Sequence, residues 1–375
     1  MKVTIIANGF QEDYIHNLVK SLSEEVEELD FIGSDIYEKD RLGENTKLIN
    51  LRGDHNPNSK FIEKANRIIK YYFKLINYLL RTDSKCIHIQ WLRFDIFEGI
   101  FVPLLIRSLQ KKSIYTAHNI LPHNQYNYTQ KIKYKIIYNV QSKIVVHTEY
   151  IKNEICSLFN IKPNKIEVIP HGVYEVNLKP EINKLVARRN LELPESKIIF
   201  LFFGRFSDYK GFDIIVDAVN KLGPKNEILI LVAGRIIESY SEKFESLKRR
   251  CEQESFKFIL KHVSEDEMEY CFMSSDYTII PYKEASQSGV LFMSYAYGIP
   301  VIAANIGGFP EDIVEGKTGT TFQANSPTSL RDCLDQIVSE KIIYSENQRN
   351  NITQYAKEKY SWTNIAKKIT KLYRS

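Results

Sequence analysis

The pair Arg205 and Lys210 carries the clearest chemistry in this sequence. Both lie in the segment FFGRFSDYKGFD, between an apolar run that ends at Gly204 and a helical stretch that starts near Gly211. Two cations in this position can converge on an anion beside the helix N-terminus, where free amides and the helix dipole favour negative charge. They can also neutralise charge on a departing diphosphate, which is the work of a metal ion in other enzymes. The pattern indicates a diphosphate site, with incidental charges in a solvated loop as the alternative.

A loop rich in small and hydroxylated residues forms a second candidate site. Ser286, Gln287, Ser288 and Gly289 precede the apolar segment VLFMSYAYG, as expected for a loop that enters a helix. Backbone amides at the start of such a helix can hold a phosphate or sugar hydroxyls. The strand IPVIAA and the tight turn IGGFPE follow directly. A loop that only reverses the chain is the alternative.

Polar and aromatic residues follow several candidate strands in the first half of the chain. The segment SIYTAHNILPHNQYN places His118 and Asn119 at the end of a strand. Trp91, His171 and Gly172 also follow candidate strands, in HIQWLRFD and VIPHGVYEVN. Because the carboxyl ends of parallel strands meet at one edge of a sheet, we expect these residues to gather on one rim. A lone histidine in this position is also compatible with a purely structural role.

Short apolar runs alternate with stretches of helical period, which is typical of parallel sheets flanked by helices. The candidate strands are VTIIA, KCIHIQ, SIYTAH, KIVVHT and KIEVIP in the first half, and KIIFLFFG, EILILVAG, KFIL, YTIIPY and IPVIAA in the second. Residues 174–197 lack a strand and contain two prolines, which suits a connector. The sequence therefore predicts two α/β domains with ligands at the carboxyl ends of their strands.

The composition of the 375-residue chain is that of a folded protein with about two domains. Hydrophobic residues make up 43% of the chain, and 51 basic against 46 acidic residues give a net charge of +5, which does not indicate a nucleic-acid partner. The five cysteines lack metal-ligand or redox spacing, which favours free thiols in a reducing cytoplasm. Neither a membrane helix nor a signal peptide is predicted.

These motifs together resemble the GT-B superfamily of glycosyltransferases, and most closely the retaining enzymes of family 4. The resemblance rests on the pattern G-R-x-x-x-x-K-G, on IPHGV, and on GIPVIA followed by GGFPE. It implies an α/β fold of two Rossmann-like domains that face each other across a donor and acceptor cleft. The implied boundaries are 1–178 for the acceptor domain, 179–355 for the nucleotide-sugar domain, and 356–375 for a C-terminal helix that packs back on the first domain.

The resemblance also implies roles for individual residues. Arg205 and Lys210 would bind the donor diphosphate and assist its departure, and His118 would position the sugar or the acceptor. Donor binding is further expected for Gly9, Gly204, Gly234, Arg235, Val263, Glu284, Ser286, Gln287, Ser288, Gly289 and Val290. The residues expected at the acceptor are Trp91, Asn119, His171 and Gly172.

The sequence departs from the family pattern in its donor loop. The family commonly carries two glutamates there, and the same register gives Ala285 and Met293 in this chain. Glu284 stands one residue out of register, so it replaces the missing acid only if the loop shifts. The alternative is that residues 286–290, SQSGV, bind the donor through hydroxyls and backbone amides. The N-terminal loop offers only Gly9 where a Gly-rich turn is usual.

The activity implied is transfer of a sugar, with retention, from a nucleotide sugar to an acceptor hydroxyl. No metal or other cofactor is expected, because no Asp-x-Asp motif accompanies the cations. The leading acceptor is a lipid-linked precursor of a bacterial surface glycan (exopolysaccharide, capsule or O-antigen), with a soluble sugar or a protein as alternatives. Lysines interleaved with apolar residues in KYYFKLINYLLR and NYTQKIKYKIIYNVQSK suit contact with an anionic membrane, and equally suit helices packed on a sheet. The expected location is the cytoplasm, including the inner face of the cell membrane.

Other functions remain open on the same residues. A non-catalytic nucleotide-sugar-binding scaffold would explain the absent glutamates. A nucleotide-sugar epimerase shares the fold, although the G-R-x-x-x-x-K-G pattern argues against it. A dehydrogenase that uses NAD is disfavoured, because no G-x-G-x-x-G follows the first strand.

Overall fold

The chain forms two units, each built around its own parallel β-sheet. The computed structural model describes residues 1–7, 11–54, 56, 60–121, 127–222 and 227–375. The first unit joins Met1–Tyr174 to Tyr360–Ser375, and the second comprises Glu175–Lys359. These divisions fall a few residues from the expected boundaries at 178 and 355.

The first unit is a seven-stranded sheet covered by helices. Its strands are β1 (Lys2–Ile6), β2 (Glu28–Gly33), β3 (Thr46–Asn50), β4 (Cys86–Ile89), β5 (Lys112–Thr116), β6 (Lys143–Val146) and β7 (Ile166–Val168). Its helices are α1 (Glu12–Ser23), α2 (Phe61–Arg81), α3 (Val102–Ser108), α4 (Tyr128–Val140), α5 (Glu149–Phe159) and, from the end of the chain, α14 (Trp362–Arg374). The strand order is β3-β2-β1-β4-β5-β6-β7, and every neighbouring pair is parallel.

The second unit repeats this plan with six strands. They are β8 (Ile198–Phe206), β9 (Ile228–Ile236), β10 (Phe256–Ile259), β11 (Tyr277–Ile280), β12 (Val301–Ala304) and β13 (Gly319–Phe322). The helices are α6 (Lys184–Asn190), α7 (Phe212–Leu222), α8 (Ser241–Lys248), α9 (Glu265–Met273), α10 (Gly289–Ala296), α11 (Phe309–Asp312), α12 (Pro327–Ser339) and α13 (Glu346–Lys359). The order β10-β9-β8-β11-β12-β13 is that of a Rossmann sheet.

Each sheet has a point where the order of strands reverses, between β1 and β4 in the first unit and between β8 and β11 in the second. All residues of β4, β11 and β12 are buried, because helices cover both faces of a parallel sheet. Ligands of such sheets bind outside the carboxyl ends of the strands, at the reversal point. The predicted class of two Rossmann-like α/β units is therefore confirmed. The loops that follow β4, β8 and β11 lie where ligands of such sheets bind.

Three strands were not predicted from the sequence. β3 and β13 lie at sheet edges and are short and largely polar, as TKLIN and GTTF, and each has residues that reach solvent. β2, with the sequence ELDFIG, carries charges at its first and third positions and follows a stretch of acidic residues. Their pairing with buried neighbours stabilises them more than their own composition does.

The predicted connector at 174–197 contains a helix that belongs to the second unit. Arg188 of α6 is buried and lies 2.7 Å from the carboxylate of Asp276, which precedes β11. The Arg188 Nε also donates to Ser274 O at 3.0 Å, and Asp276 accepts from the Ile199 amide at 2.8 Å. The ion pair and these bonds satisfy both buried charges, so α6 is attached to the sheet.

The last helix, α14, packs against α1 in the first unit. Trp362 donates from Nε1 to Val173 O at 2.7 Å, and the Val173 amide donates to Tyr360 O at 3.0 Å. The C-terminal residues thus complete the core of the first unit. Within the described part of the chain, no helix is both long enough and apolar enough to cross a membrane.

Candidate active site

Two exposed arginines stand side by side at the carboxyl ends of β8 and β9. Arg205 and Arg235 are register partners in this parallel pair, so their side chains leave the sheet on the same face. Gly204 and Gly234 precede them and are partners as well. Two guanidinium groups that leave the same face of adjacent strands can both reach one anion. The sheet edge therefore provides a site for a negatively charged ligand.

Lys210 is joined to the second candidate loop through Tyr282. The Lys210 ammonium donates a hydrogen bond to the Tyr282 hydroxyl and lies 3.9 Å from the centroid of its ring. The Tyr282 hydroxyl lies 3.0 Å from Ser288 Oγ, to which it donates because it accepts from the lysine. Ser288 caps α10 and accepts from the Val290 amide at 3.2 Å. The two predicted donor motifs therefore meet in the second unit.

We call Arg205, Arg235 and Lys210 the three cations. Other lysines nearby are neutralised, since Lys283 lies 2.8 Å from Asp213 and 3.4 Å from Asp208, and Lys243 also pairs with Asp208. Among the residues that the structure describes, the three cations form no ion pair. Burial lowers the pKa of Lys210, so an anion bound beside it would stabilise its charged form. No group of three or more His, Cys, Asp or Glu side chains in the described ranges is arranged to hold a metal ion.

Two glycines allow the loops of this site to touch. Gly211 has φ of 74°, and a Cβ there would lie 1.9 Å from Pro281 O. Gly307, in the GGFPE turn, has φ of 60°, and a Cβ there would lie 1.7 Å from Ala285 O. Both the backbone conformation and the close approach require glycine. The Gly308 amide donates to Ser286 O at 3.2 Å, so this turn supports the donor loop.

The donor loop contains a buried amide oxygen. Met293 packs against the apolar core of the second unit, as does Val263, while Glu284 is exposed. Gln287 has a buried Oε1 without a hydrogen-bond partner in the part of the chain described. A buried acceptor without a partner costs about 1–3 kcal/mol, so the loop is suited to a ligand that donates a hydrogen bond to Gln287.

In the first unit, a chain of buried hydrogen bonds runs along the strand ends and includes His118. His147 Nδ1 lies 2.9 Å from Ile169 O, and His147 Nε2 lies 3.1 Å from His118 Nδ1. Gln90 Oε1 lies 3.3 Å from His118 Nε2, and Gln90 Nε2 lies 3.3 Å from His88 Nε2. His88 Nδ1 lies 2.7 Å from the hydroxyl of Tyr373 in α14, and its Nε2 lies 2.7 Å from Thr116 Oγ1.

The chemistry of this chain fixes the tautomer of His118. Burial lowers the pKa of His147 to about 4 and that of His118 well below its usual range, so both rings are neutral. The Ile169 carbonyl can only accept, so His147 donates from Nδ1 and accepts at Nε2 from His118 Nδ1. His118 Nε2 is then an acceptor. It faces Gln90 Oε1, so the Gln90 amide satisfies it only when turned over to present its nitrogen. His118 therefore carries a lone pair, and no proton, on Nε2.

Aromatic rings pack tightly around His118. Trp91 stacks on it with a centroid distance of 4.0 Å and an interplanar angle of 6°, and Tyr14 contacts it edge-on at 5.2 Å. His171 is buried against Tyr14, and its Nδ1 donates to Gly172 O at 2.7 Å. A Cβ at Gly172 would lie 2.2 Å from the Trp362 ring, so packing on α14 accounts for this glycine. The rings bring Trp91, His118 and His171 together, as their positions at strand ends predict.

Two predicted residues, Asn119 and Gly9, lie outside the contacts given above. Asn119 is half-buried, and its carbonyl accepts from the Tyr138 hydroxyl at 3.4 Å. Gly9 lies outside the described residues. Tyr282, Gln90, His88 and His147 were not among the predicted site residues. Tyr282 ends an apolar run that predicts a strand. Gln90, His88 and His147 belong to no motif that indicates a site.

Comparison with known proteins supports the same fold. Sucrose-phosphate synthase from Thermosynechococcus elongatus superposes with a TM-score of 0.78 at 17% identity, covering 100% of this chain and 98% of that one. At this identity the likeness concerns the fold alone.

Two curated relatives match part of the sequence. An uncharacterized glycosyltransferase of Methanocaldococcus jannaschii is 26% identical over 239 residues, and D-inositol 3-phosphate glycosyltransferase of Corynebacterium urealyticum is 27% identical over 244 residues. Each match covers 62% of this chain, and it spans 60% and 56% of the two relatives, respectively.

Two family models cover most of the sequence. The one described as Glycosyltransferase Family 4 matches residues 11–175, within the first unit. The one described as Glycosyl transferases group 1 matches residues 183–373, which is half of the chain and includes the three cations and the donor loop. The chain therefore belongs to the glycosyl transferases group 1 family.

Proposed function

We propose that this chain transfers a sugar from a nucleoside diphosphate sugar to an acceptor hydroxyl, with retention at the anomeric carbon. The observation that carries the proposal is the placement of the three cations at the carboxyl edge of the second sheet without carboxylate partners in the described ranges. A diphosphate is the anion that best matches several cations and the N-terminus of α10.

In the proposed reaction, the bond between the anomeric carbon and the diphosphate oxygen breaks. The negative charge that develops on the diphosphate is stabilised by the three cations, without a metal ion. The acceptor oxygen approaches on the same face and forms the new bond to the anomeric carbon, and its proton passes to the departing diphosphate oxygen. Ala285 and Met293 offer no carboxylate, so no side chain is assigned as a nucleophile.

His118 has a positioning role in this proposal. Its Nε2 lone pair accepts a hydrogen bond, which a sugar or acceptor hydroxyl can donate. The bond to His147 holds the ring in one tautomer, and the stack on Trp91 holds its plane. Since burial keeps the ring neutral, His118 does not supply a proton.

For the acceptor, we propose a lipid-linked glycan precursor of the bacterial surface. The helix α2 exposes large apolar side chains along one side, with 71% exposure for Ile62, 66% for Ile69 and 76% for Phe73. Lys70 and Lys74 are exposed on the same helix. Apolar groups that penetrate the headgroup region, together with lysines that attract anionic lipids, suit peripheral contact with an anionic membrane.

Nucleotide release tests the proposed reaction. The full chain is incubated with a panel of UDP- and GDP-sugars in the presence of EDTA, with R205A/K210A as the test variant. R189A/K257A, which removes two cations that pair with Glu195 and Glu192, is the matched control. We expect release by the wild type and the control alone. Sugar-nucleotide binding without release across acceptors would instead support a scaffold, and a change in the donor sugar without an acceptor would support an epimerase.

A further inference from the structure

The first unit contains a cationic cavity that the predicted site does not include. Its volume is about 270 Å³, and it is lined by Arg52, Lys64, Arg67, Arg93, Tyr71 and Tyr72, among others. Four of these residues are cations, and Asp54 is the single carboxylate in the lining. Arg52 follows β3 and Arg93 follows β4, so both arginines lie at the carboxyl edge of the sheet, as does His118.

A buried hydroxyl points to a ligand in this cavity. Tyr71 is 4% exposed, and its hydroxyl has no hydrogen-bond partner in the part of the chain described. Arg52 is 6% exposed, and burial together with the charge of Arg93 lowers its pKa. A bound anion would accept from the Tyr71 hydroxyl and would offset the repulsion between the two guanidinium groups.

Two carboxylates lie near the cations of the cavity. Asp54 lies 2.8 Å from Arg67, so that pair is neutral as a whole. Glu98 is buried behind the lining, where it accepts from the Tyr72 hydroxyl at 2.9 Å and from the Arg93 amide. Burial raises the pKa of Glu98, while the hydrogen bonds from Arg93 and Tyr72 act in the opposite direction.

We propose that this cavity binds the phosphate or diphosphate group of a phosphorylated acceptor, an inference that rests on the proposed transferase function. Guanidinium groups present paired donors that match phosphate oxygens, and tyrosine hydroxyls add further donors. Phe94 and Ile68 give the cavity an apolar side. The group bound here can belong to a lipid-linked or to a soluble acceptor.

Inorganic pyrophosphate is the first probe, titrated into the full chain by calorimetry. The donor site also attracts this anion, so the titration uses R205A/K210A, in which that site is disabled. We expect this variant to bind pyrophosphate, and the addition of R93A to weaken binding about ten- to a hundredfold. D54N should strengthen binding, because it removes the carboxylate from the lining. Absence of pyrophosphate binding to R205A/K210A would overturn the proposal.

Tyr71→Phe separates a binding role from a structural one. The variant keeps the buried ring and removes a hydroxyl without a described partner, so thermal stability should stay equal or rise, while pyrophosphate affinity falls. Unchanged affinity for pyrophosphate in both Y71F and R93A would contradict the proposed cavity. If the wild type binds pyrophosphate but turns over no sugar nucleotide, the proposed function is wrong and the anion site is still supported.

Two further arms distinguish the sources of the phosphate group. One measures sedimentation with phosphatidylcholine vesicles that contain a polyprenyl diphosphate, and the other measures binding of a soluble hexose phosphate. Binding to the vesicles that pyrophosphate displaces and R93A abolishes would identify a membrane-held acceptor. Binding of the hexose phosphate alone, again lost in R93A, would identify a soluble one. If R93A changes neither measurement, the cavity does not serve the acceptor.

Discussion

The Lys210 ammonium lies 3.9 Å from the centroid of the Tyr282 ring and donates a hydrogen bond to the Tyr282 hydroxyl. Through this contact a cation that follows β8 is held against the residue that follows β11, on the two sides of the strand reversal in the second sheet. The tyrosine continues the connection to Ser288, the cap of α10. Lys210 and the start of α10 therefore belong to one hydrogen-bonded group.

Tyr282→Phe should weaken binding of a nucleoside diphosphate about tenfold. The ring and its contact with the ammonium remain, but Lys210 loses an acceptor and Ser288 loses a donor, and a hydrogen bond to a charged group is worth about 1.5–3 kcal/mol. Calorimetric titration with UDP and GDP measures the change. Tyr277→Phe, in β11, is the control, because its hydroxyl bonds to Ile342 O at 2.7 Å, away from the site. Equal affinities of Y282F and the wild type would remove Tyr282 from the site.

Arg235→Ala should reduce nucleoside diphosphate affinity about ten- to a hundredfold, since the residue stands beside Arg205 on the same face of the sheet. The dependence of affinity on salt should become shallower as well, because one cation fewer faces the ligand. Lys243→Ala provides the control, as this lysine is paired with Asp208. An effect of K243A as large as that of R235A would indicate general electrostatics and no specific site.

The donor loop should depend on Gln287 more than on Glu284. Glu284 is exposed, whereas Gln287 has a buried Oε1 with no hydrogen-bond partner among the described residues. We expect E284A to change turnover less than about threefold and Q287A to lower it about tenfold or more, in line with loss of a buried hydrogen bond. Steady-state release of nucleotide measures both. The opposite ranking would restore Glu284 as the substitute for the missing acid.

Stability of the first unit should fall in mild acid. Burial lowers the pKa of His88 and His171 to about 3 and that of His147 to about 4, while an unfolded histidine titrates near 6.5. Below about pH 6.5 the unfolded chain binds protons that the folded chain excludes, so the free energy of unfolding falls until the folded pKa values are reached. Each histidine adds a slope of up to about 1.4 kcal/mol per pH unit. Urea titrations across this range measure the slope. His147→Gln should reduce the slope by up to about 1.4 kcal/mol per pH unit, which corresponds to about one proton. A slope that H147Q leaves unchanged would contradict the neutral histidine chain.

The exposed side of α2 should determine membrane contact. Ile69→Glu together with Phe73→Glu replaces two exposed apolar groups with charges that anionic lipids repel. Sedimentation with anionic vesicles at low salt should show binding by the wild type and loss in this variant. Ile342→Glu with Ile343→Glu, at partly exposed positions of the second unit, serves as the control. If the wild type does not sediment with the vesicles, the membrane contact is wrong.

Much of the fold follows from sequence pattern, because parallel strands buried on both faces read as apolar runs. β4, β8, β9, β11 and β12 were predicted for that reason. β3 and β13 escaped prediction because an edge strand gains its stability from its neighbour, as Leu29 pairs with Thr46 and Val301 with Gly319. The helix α6 escaped prediction because Arg188 reads as a surface charge until Asp276 is placed beside it.

Site residues that share a sequence motif could be predicted. Residues that are distant in sequence and come into contact only in the fold could not. Arg205 and Lys210 are close in sequence, and so are Ser286 and Ser288. Tyr282 reads as the end of a buried strand, and only its contact with Lys210 assigns it to the site. The cationic cavity draws its lining from residues after β3, on α2 and after β4, so no local pattern announces it.

Binding of a nucleoside diphosphate to R205A/K210A tests the central claim most directly. UDP and GDP are titrated into the wild type, this variant and the charge-matched control R189A/K257A in the presence of EDTA. The account predicts tight binding of at least one nucleotide by the wild type and the control, and a loss of at least about a hundredfold in R205A/K210A. Equal affinity of R205A/K210A and the control would contradict it, because the diphosphate would then be held elsewhere.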